Sequence, residues 1–143
     1  MVLALFLKPE PGILVANESL SIVANMGIEG DMHYGRANRQ VFLVAKDELD
    51  SEGCVPGAWR EQVTVDLPGL QESRGGMVQV GNVEFEVERA CCSCEHHVAS
   101  PEDNPLSSVE TSPVRRGLFM IARTSGTIRV GDSVRLVMET NQP

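Results

Sequence analysis

Three of the four cysteines and two of the three histidines in this 143-residue sequence fall within seven consecutive positions, Cys91 to His97. A hydrophobic core does not require that density of thiols and imidazoles. The stretch Arg89-Ala90-Cys91-Cys92-Ser93-Cys94-Glu95-His96-His97 therefore reads as a site. Three chemistries suit it. Cys91 and Cys94 have the C-x-x-C spacing of a zinc ligand pair, with His96 or His97 as a further ligand. No second C-x-x-C or spaced histidine pair completes a tetrahedron, so Cys54 and His33 would have to be recruited from afar. The same spacing suits a redox pair, because C-x-x-C lowers a thiol pKa and permits an internal disulfide, although β-rich surroundings differ from those of thioredoxin-like proteins. The third is one low-pKa thiolate, tuned by its neighbours, that carries sulfur or ligates a soft metal.

A second stretch, Gly27-Ile28-Glu29-Gly30-Asp31-Met32-His33-Tyr34-Gly35-Arg36, packs three glycines into nine residues. Such a loop lets backbone approach backbone or ligand. Asp31 and His33 are two apart, which in an extended backbone puts them on one side, where together they orient a proton or a ligand. An aspartate that caps a turn beside a half-exposed histidine is the plainer alternative. Arg36 and Arg39 follow, and Arg115-Arg116 precede Gly117. Guanidinium groups grip phosphate bidentately, so these arginines form a candidate anion site, against the ordinary role of surface charges balancing many acids.

These residues need a scaffold, and the sequence pattern supplies a β one. Hydrophobic residues make up 42% and aromatics 4%, with valine abundant, which describes a chain able to bury a core of β-branched aliphatics. Val83, Phe85 and Val87 alternate with Glu84, Glu86 and Glu88, as in a strand with one wet face. Met77–Val80 precedes it across Gly81-Asn82, a hairpin turn signal. The stretch from Thr127 to Leu136 repeats that design around Gly131-Asp132 and predicts a second hairpin. Gln40–Ala45, Glu61–Val65 and Leu118–Ala122 read as further strands. Lys46–Glu52 reads as a short helix stopped by Gly53, and Ala99–Pro113 as a loop or lid with a helical turn near Ser107–Glu110. The expectation is one domain over residues 1–143, a single mostly-β barrel with one or two short helices.

The net charge of −8 argues against nucleic-acid binding, which needs many basic contacts. The opening run Met1–Leu7 is too short for a membrane span, lacks a basic flank and ends at Lys8-Pro9, so it reads as a buried strand. A soluble cytoplasmic protein is expected, in which cysteines serve chemistry rather than structural disulfides.

Several blocks carry a family likeness: Gly27-Ile28-Glu29-Gly30-Asp31-Met32-His33, Arg39-Gln40-Val41, Pro56-Gly57-Ala58-Trp59-Arg60-Glu61, Cys91-x-x-Cys94, Arg116-Gly117, and Gly126-Thr127-Ile128-Arg129-Val130-Gly131-Asp132. In this order and spacing the chain resembles the MOSC domain family, named for the C-terminal part of molybdenum cofactor sulfurase. It is most similar to the small stand-alone bacterial members, over about Val2 to Val137. The resemblance implies a β-barrel and a role in handling sulfur or the molybdenum cofactor. A cysteine, usually preceded by proline, carries persulfide sulfur or ligates molybdenum in such proteins, and the matching position is Cys94. Ser93 stands where the proline is usual, and Glu61-Gln62 where a Glu-Asn pair is usual.

On this reading Arg36, Arg39, Arg115 and Arg116 meet the phosphate of a molybdopterin, and Asp31 and His33 position a reacting group or a water. The activity implied is sulfur transfer, or reduction of an N-hydroxylated compound. No flavin, iron–sulfur or nicotinamide motif is present, so the partner is a cysteine desulfurase or an electron-donor protein. The alternatives are a carrier without turnover and a zinc module built on Cys91, Cys94 and His96 or His97.

Overall fold

The computed structural model describes residues 1–67, 76–90 and 117–137. Its elements, in chain order, are β1 (Val2–Leu7), β2 (Val15–Asn17), β3 (Ser19–Val23), β4 (Gly27–Ile28), β5 (Val41–Ala45), α1 (Lys46–Ser51), β6 (Val63–Val65), β7 (Met77–Val80), β8 (Val83–Ala90), β9 (Leu118–Ala122), β10 (Gly126–Arg129) and β11 (Val134–Val137). The fold is mostly β, as expected. One sheet of eight strands has the order β11-β7-β8-β9-β5-β6-β1-β2, and a smaller sheet has the order β10-β3-β4.

The alternating stretch behaves as its pattern predicts. Val83, Phe85 and Val87 are buried while Glu84, Glu86 and Glu88 are not. β7 and β8 pair antiparallel with Val80 opposite Val83, and Gly81 turns between them at φ +58. β5 differs, being buried along its whole length. Its apolar run needs cover on both faces, as in strands with parallel neighbours. One face joins the main core with Leu5, Ile28, Phe85, Leu118, Met120 and Ile128, so both sheets share that core. The other face packs Phe42 and Val44 against Leu49 of α1, with Cys54, Trp59 and Phe119 alongside.

α1 is the crossover that parallel strands require, since β5 and β6 run parallel. Glu48 does two jobs there. Its Oε1 accepts the Ala45 N–H at 3.1 Å, half of a capping box, and its Oε2 accepts the Gly117 N–H at 3.3 Å. The helix stops before Gly53, which has φ +70.

Two expectations are corrected. The barrel is not closed: among the described residues the large ladder ends at β11 on one side and β2 on the other. The stretch around Gly131 is also not a hairpin, because β10 pairs with β3 and β11 with β7. The Gly131 turn closes on itself, Asp132 N–H donating to Arg129 O at 3.0 Å, and it also bonds to β1: Gly131 N–H donates to Val2 O and Val2 N–H to Asp132 O, each at 2.9 Å. The two similar turns also stack, with Gly81 N–H donating to Ser133 O at 2.9 Å. A helical turn near Ser107–Glu110 and the Ala99–Pro113 lid lie outside the described residues.

Candidate functional site

The glycine-rich loop after β4 is held by side chains from distant strands. Gln40, buried just before β5, donates through Nε2 to Arg36 O at 2.7 Å and Asn25 O at 3.0 Å. Its Oε1 accepts the Ala122 N–H at 3.0 Å, tying the loop to β9. Gly27 has φ +110, and a Cβ there would lie 3.1 Å from Gln40 Cβ, so the loop's first glycine answers both a backbone and a packing demand.

Within this loop Asp31 and His33 do meet, though through a turn and not an extended backbone. Asp31 Oδ2 accepts the His33 N–H at 3.0 Å, an Asx turn, and lies 3.0 Å from His33 Nδ1. Oδ1 accepts the Lys8 N–H at 2.9 Å, and Oδ2 also receives Gln62 Nε2 at 3.2 Å. The carboxylate has no exposed side-chain surface, whereas 17% of the His33 side chain is exposed. Burial alone would raise the Asp31 pKa. Hydrogen bonds from the His33 ring, the His33 backbone and the Lys8 backbone outweigh it and hold the carboxyl below its ordinary 3.8.

Lys8 and Gln62 are the members that sequence reading missed. Burial pulls the Lys8 ammonium down to about 8, against the opposing attraction of Asp31. Its Nζ donates to Arg60 O at 2.9 Å. Among the described residues Arg60 is one of three non-glycine residues with positive φ, at +61. That strained turn is tied at its other end by Glu61, wholly buried, whose carboxyl oxygens accept Gly57 N–H at 2.8 Å, Trp59 N–H at 3.1 Å and Thr64 Oγ1 at 2.6 Å. The Pro56–Glu61 block is thus a wrapped turn that delivers Gln62 to Asp31. A polar pair running straight into the apolar Val63-Thr64-Val65 strand was the available signal.

The expected arginines occupy different surroundings. Arg36 is exposed in the loop. Arg39, at φ +54, donates its backbone N–H to Glu88 Oε1 at 2.8 Å. Its guanidinium stands 4.9 Å over the Phe119 ring, which stacks on Phe42 at 4.9 Å. Cys91, Cys94, His96, His97, Arg115 and Arg116 lie outside the described residues. The strands that lead to and from them are neighbours: β8 ends at Ala90, opposite Leu118 at the start of β9. Gly117, before Leu118, has φ +79, and a Cβ there would come 2.6 Å from Leu43 O.

Among the described residues no group of three His, Cys, Asp or Glu side chains is placed to hold a metal. With four donors on Asp31, the described residues do not form the ligand set of a metal cofactor. Among those residues no helix is long and apolar enough to cross a membrane.

No family model matches the sequence, and no curated protein does. Solved structures match the fold. YuaD from Bacillus subtilis superposes with a TM-score of 0.72 at 18% identity, over 98% of both chains. YiiM from Geobacillus stearothermophilus gives 0.69 at 13% identity, over 94% of this chain and 73% of that one. YiiM from Escherichia coli gives 0.67 at 15%, over 97% and 70%. At these identities the likeness is one of fold, and it supports the MOSC-like fold that the resemblance implied.

Proposed function

We propose that this chain is a MOSC-like protein of sulfur or molybdenum-cofactor chemistry, working through the Cys94 thiolate. The observation that carries the reading is the fold likeness to the YiiM structures over 94% and 97% of the chain, taken with the ordered motif blocks. Thiolate is a soft metal ligand and also the nucleophile that sulfur transfer needs. In the sulfur-carrying form, Cys94 attacks the outer sulfur of a desulfurase persulfide. A Cys94 persulfide forms as the desulfurase thiolate leaves. In the cofactor-binding form, Cys94 is the protein ligand, and reduction of an N-hydroxylated compound takes its two electrons from a partner protein. Arg36, Arg39, Arg115 and Arg116 are the proposed phosphate contacts.

The C-x-x-C spacing favours a second reading, a zinc module on Cys91, Cys94 and His96 or His97. Elemental analysis of the purified full chain separates the two. Molybdenum retained by the wild type and lost from Cys94→Ser supports the cofactor reading, and retention in Cys94→Ser overturns the choice of ligand. Stoichiometric zinc, lost from Cys91→Ser and Cys94→Ser alike, establishes the zinc module instead. For the carrier, mass spectrometry after incubation with a cysteine desulfurase should find one extra sulfur on Cys94.

A further inference from the structure

Away from the cysteine cluster, a set of polar groups converges on one enclosed carboxylate. An aspartate that only shaped its loop would be satisfied by the backbone N–H groups of Lys8 and His33, at 2.9 and 3.0 Å. Asp31 has more than that. Gln62, itself 1% exposed, reaches it from the start of β6 at 3.2 Å while its Oε1 is pinned by the Phe42 N–H at 2.8 Å. The carboxylate is therefore fixed from β1, from its own loop and from the β5–β6 pair, and the His33 ring lies against it at 3.0 Å.

The chemistry of that contact sets the ring's proton. An ionised carboxylate has no hydrogen to give, so the hydrogen between Oδ2 and Nδ1 belongs to His33. A neutral imidazole carries one ring proton, which leaves Nε2 with a bare lone pair. Among the described residues Nε2 has no hydrogen-bond partner, and the ring is partly exposed. Met32 and Tyr34 flank His33 and are both exposed, as is Met26, whose Cε lies 3.6 Å from where a Gly35 Cβ would stand. His33 Nε2 is thus a bare acceptor on a partly exposed ring.

We propose that Asp31 is a positioning residue that fixes His33 as the Nδ1–H tautomer, so that Nε2 is a general base for a weakly acidic S–H, N–H or O–H group on a small ligand. In the step, the ligand's X–H bond breaks, its electron pair stays on X, and the proton forms an Nε2–H bond. The resulting imidazolium faces the Asp31 carboxylate, which stabilises it. Gln62 and the Lys8 N–H keep that carboxylate aimed. The assignment is independent of what Cys94 binds.

Two measurements on the full chain test it. Long-range nitrogen–proton NMR at neutral pH, with His33 assigned by its loss in His33→Gln, should show a protonated Nδ1 and an unprotonated Nε2. In Asp31→Ala the ring should shift to the Nε2–H form that free imidazole prefers. An Nε2–H ring in the wild type, or an unchanged Nδ1–H ring in folded Asp31→Ala, overturns the proposal. If Asp31→Ala does not fold, the wild-type spectrum decides alone. Peptide mapping after diethyl pyrocarbonate should find His33 carbethoxylated in the folded wild type, and a His33 that stays unmodified overturns the exposed-acceptor assignment.

Discussion

Gln62 Nε2 lies 3.2 Å from Asp31 Oδ2, linking residues 31 apart in sequence through a side chain that also accepts the buried Phe42 N–H. The two contacts make Gln62 a bracket between the strand β5 and the glycine-rich loop. Gln62→Leu preserves volume but leaves the Phe42 N–H without an acceptor. An unsatisfied buried donor costs about 1–3 kcal/mol, so urea denaturation should show a loss in that range. A loss well below 1 kcal/mol would mean that water replaces the side chain.

Asp31→Ala removes the acceptor of four donors and should cost more, about 3 kcal/mol or above. Its pH dependence has a definite sign. The folded pKa lies below the ordinary 3.8, so the stabilisation is present above that value and is lost as pH falls through the lower folded one. Stability measured at a series of pH values should fall more steeply below 3.8 in the wild type than in Asp31→Ala.

Lys8 works in the opposite direction at the alkaline end. Its pKa of about 8, against 10.5 for the free side chain, means that the unfolded chain binds more protons between those two values. Stability therefore rises with pH across that window. Lys8→Met keeps the aliphatic stem and has no proton to lose. The difference in stability between wild type and Lys8→Met should accordingly shift in favour of the wild type from pH 8 to pH 10.5, read by denaturant unfolding at each pH.

Gly117 and Gly131 should separate by how crowded they are, not by φ alone. Both have positive φ, +79 and +98, yet a Cβ on Gly117 meets Leu43 O at 2.6 Å while one on Gly131 meets nothing within 4 Å. Gly131→Ala carries only backbone strain, about 1–2 kcal/mol. Gly117→Ala adds a backbone clash in the core and should exceed about 3 kcal/mol. Thermal melts of the two variants give the comparison.

Where local pattern decides structure, the sequence was readable. Period-2 alternation placed β8, and Gly81 placed its turn. The same local signal around Gly131 misled, because whether two strands pair with each other depends on what else claims their backbone, and β10 lies against β3 and β11 against β7, both distant in sequence. The meeting of Asp31 and His33 was legible as a spacing of two, although a turn and not a strand brings them together. Gln62 looked like a departure from a Glu-Asn pair, since its partners, Phe42 and Asp31, are near only in the folded chain. Lys8 looked like the end of an apolar run for the same reason. The cysteine cluster, the densest chemical signal in the sequence, lies outside the described residues.

The paired bonds between Val2 and the turn at Gly131–Asp132 also order events in time. During synthesis β1 can find β2 early and β6 somewhat later, but the bonds at Val2 wait until residue 132 has emerged. β7 likewise waits for β11. Contacts this distant in sequence slow folding and leave sheet edges open meanwhile. A ribosome-bound chain halted before residue 126 would lack β10 and β11 and carry two unsatisfied edges, at β3 and β7, where the complete chain carries paired strands.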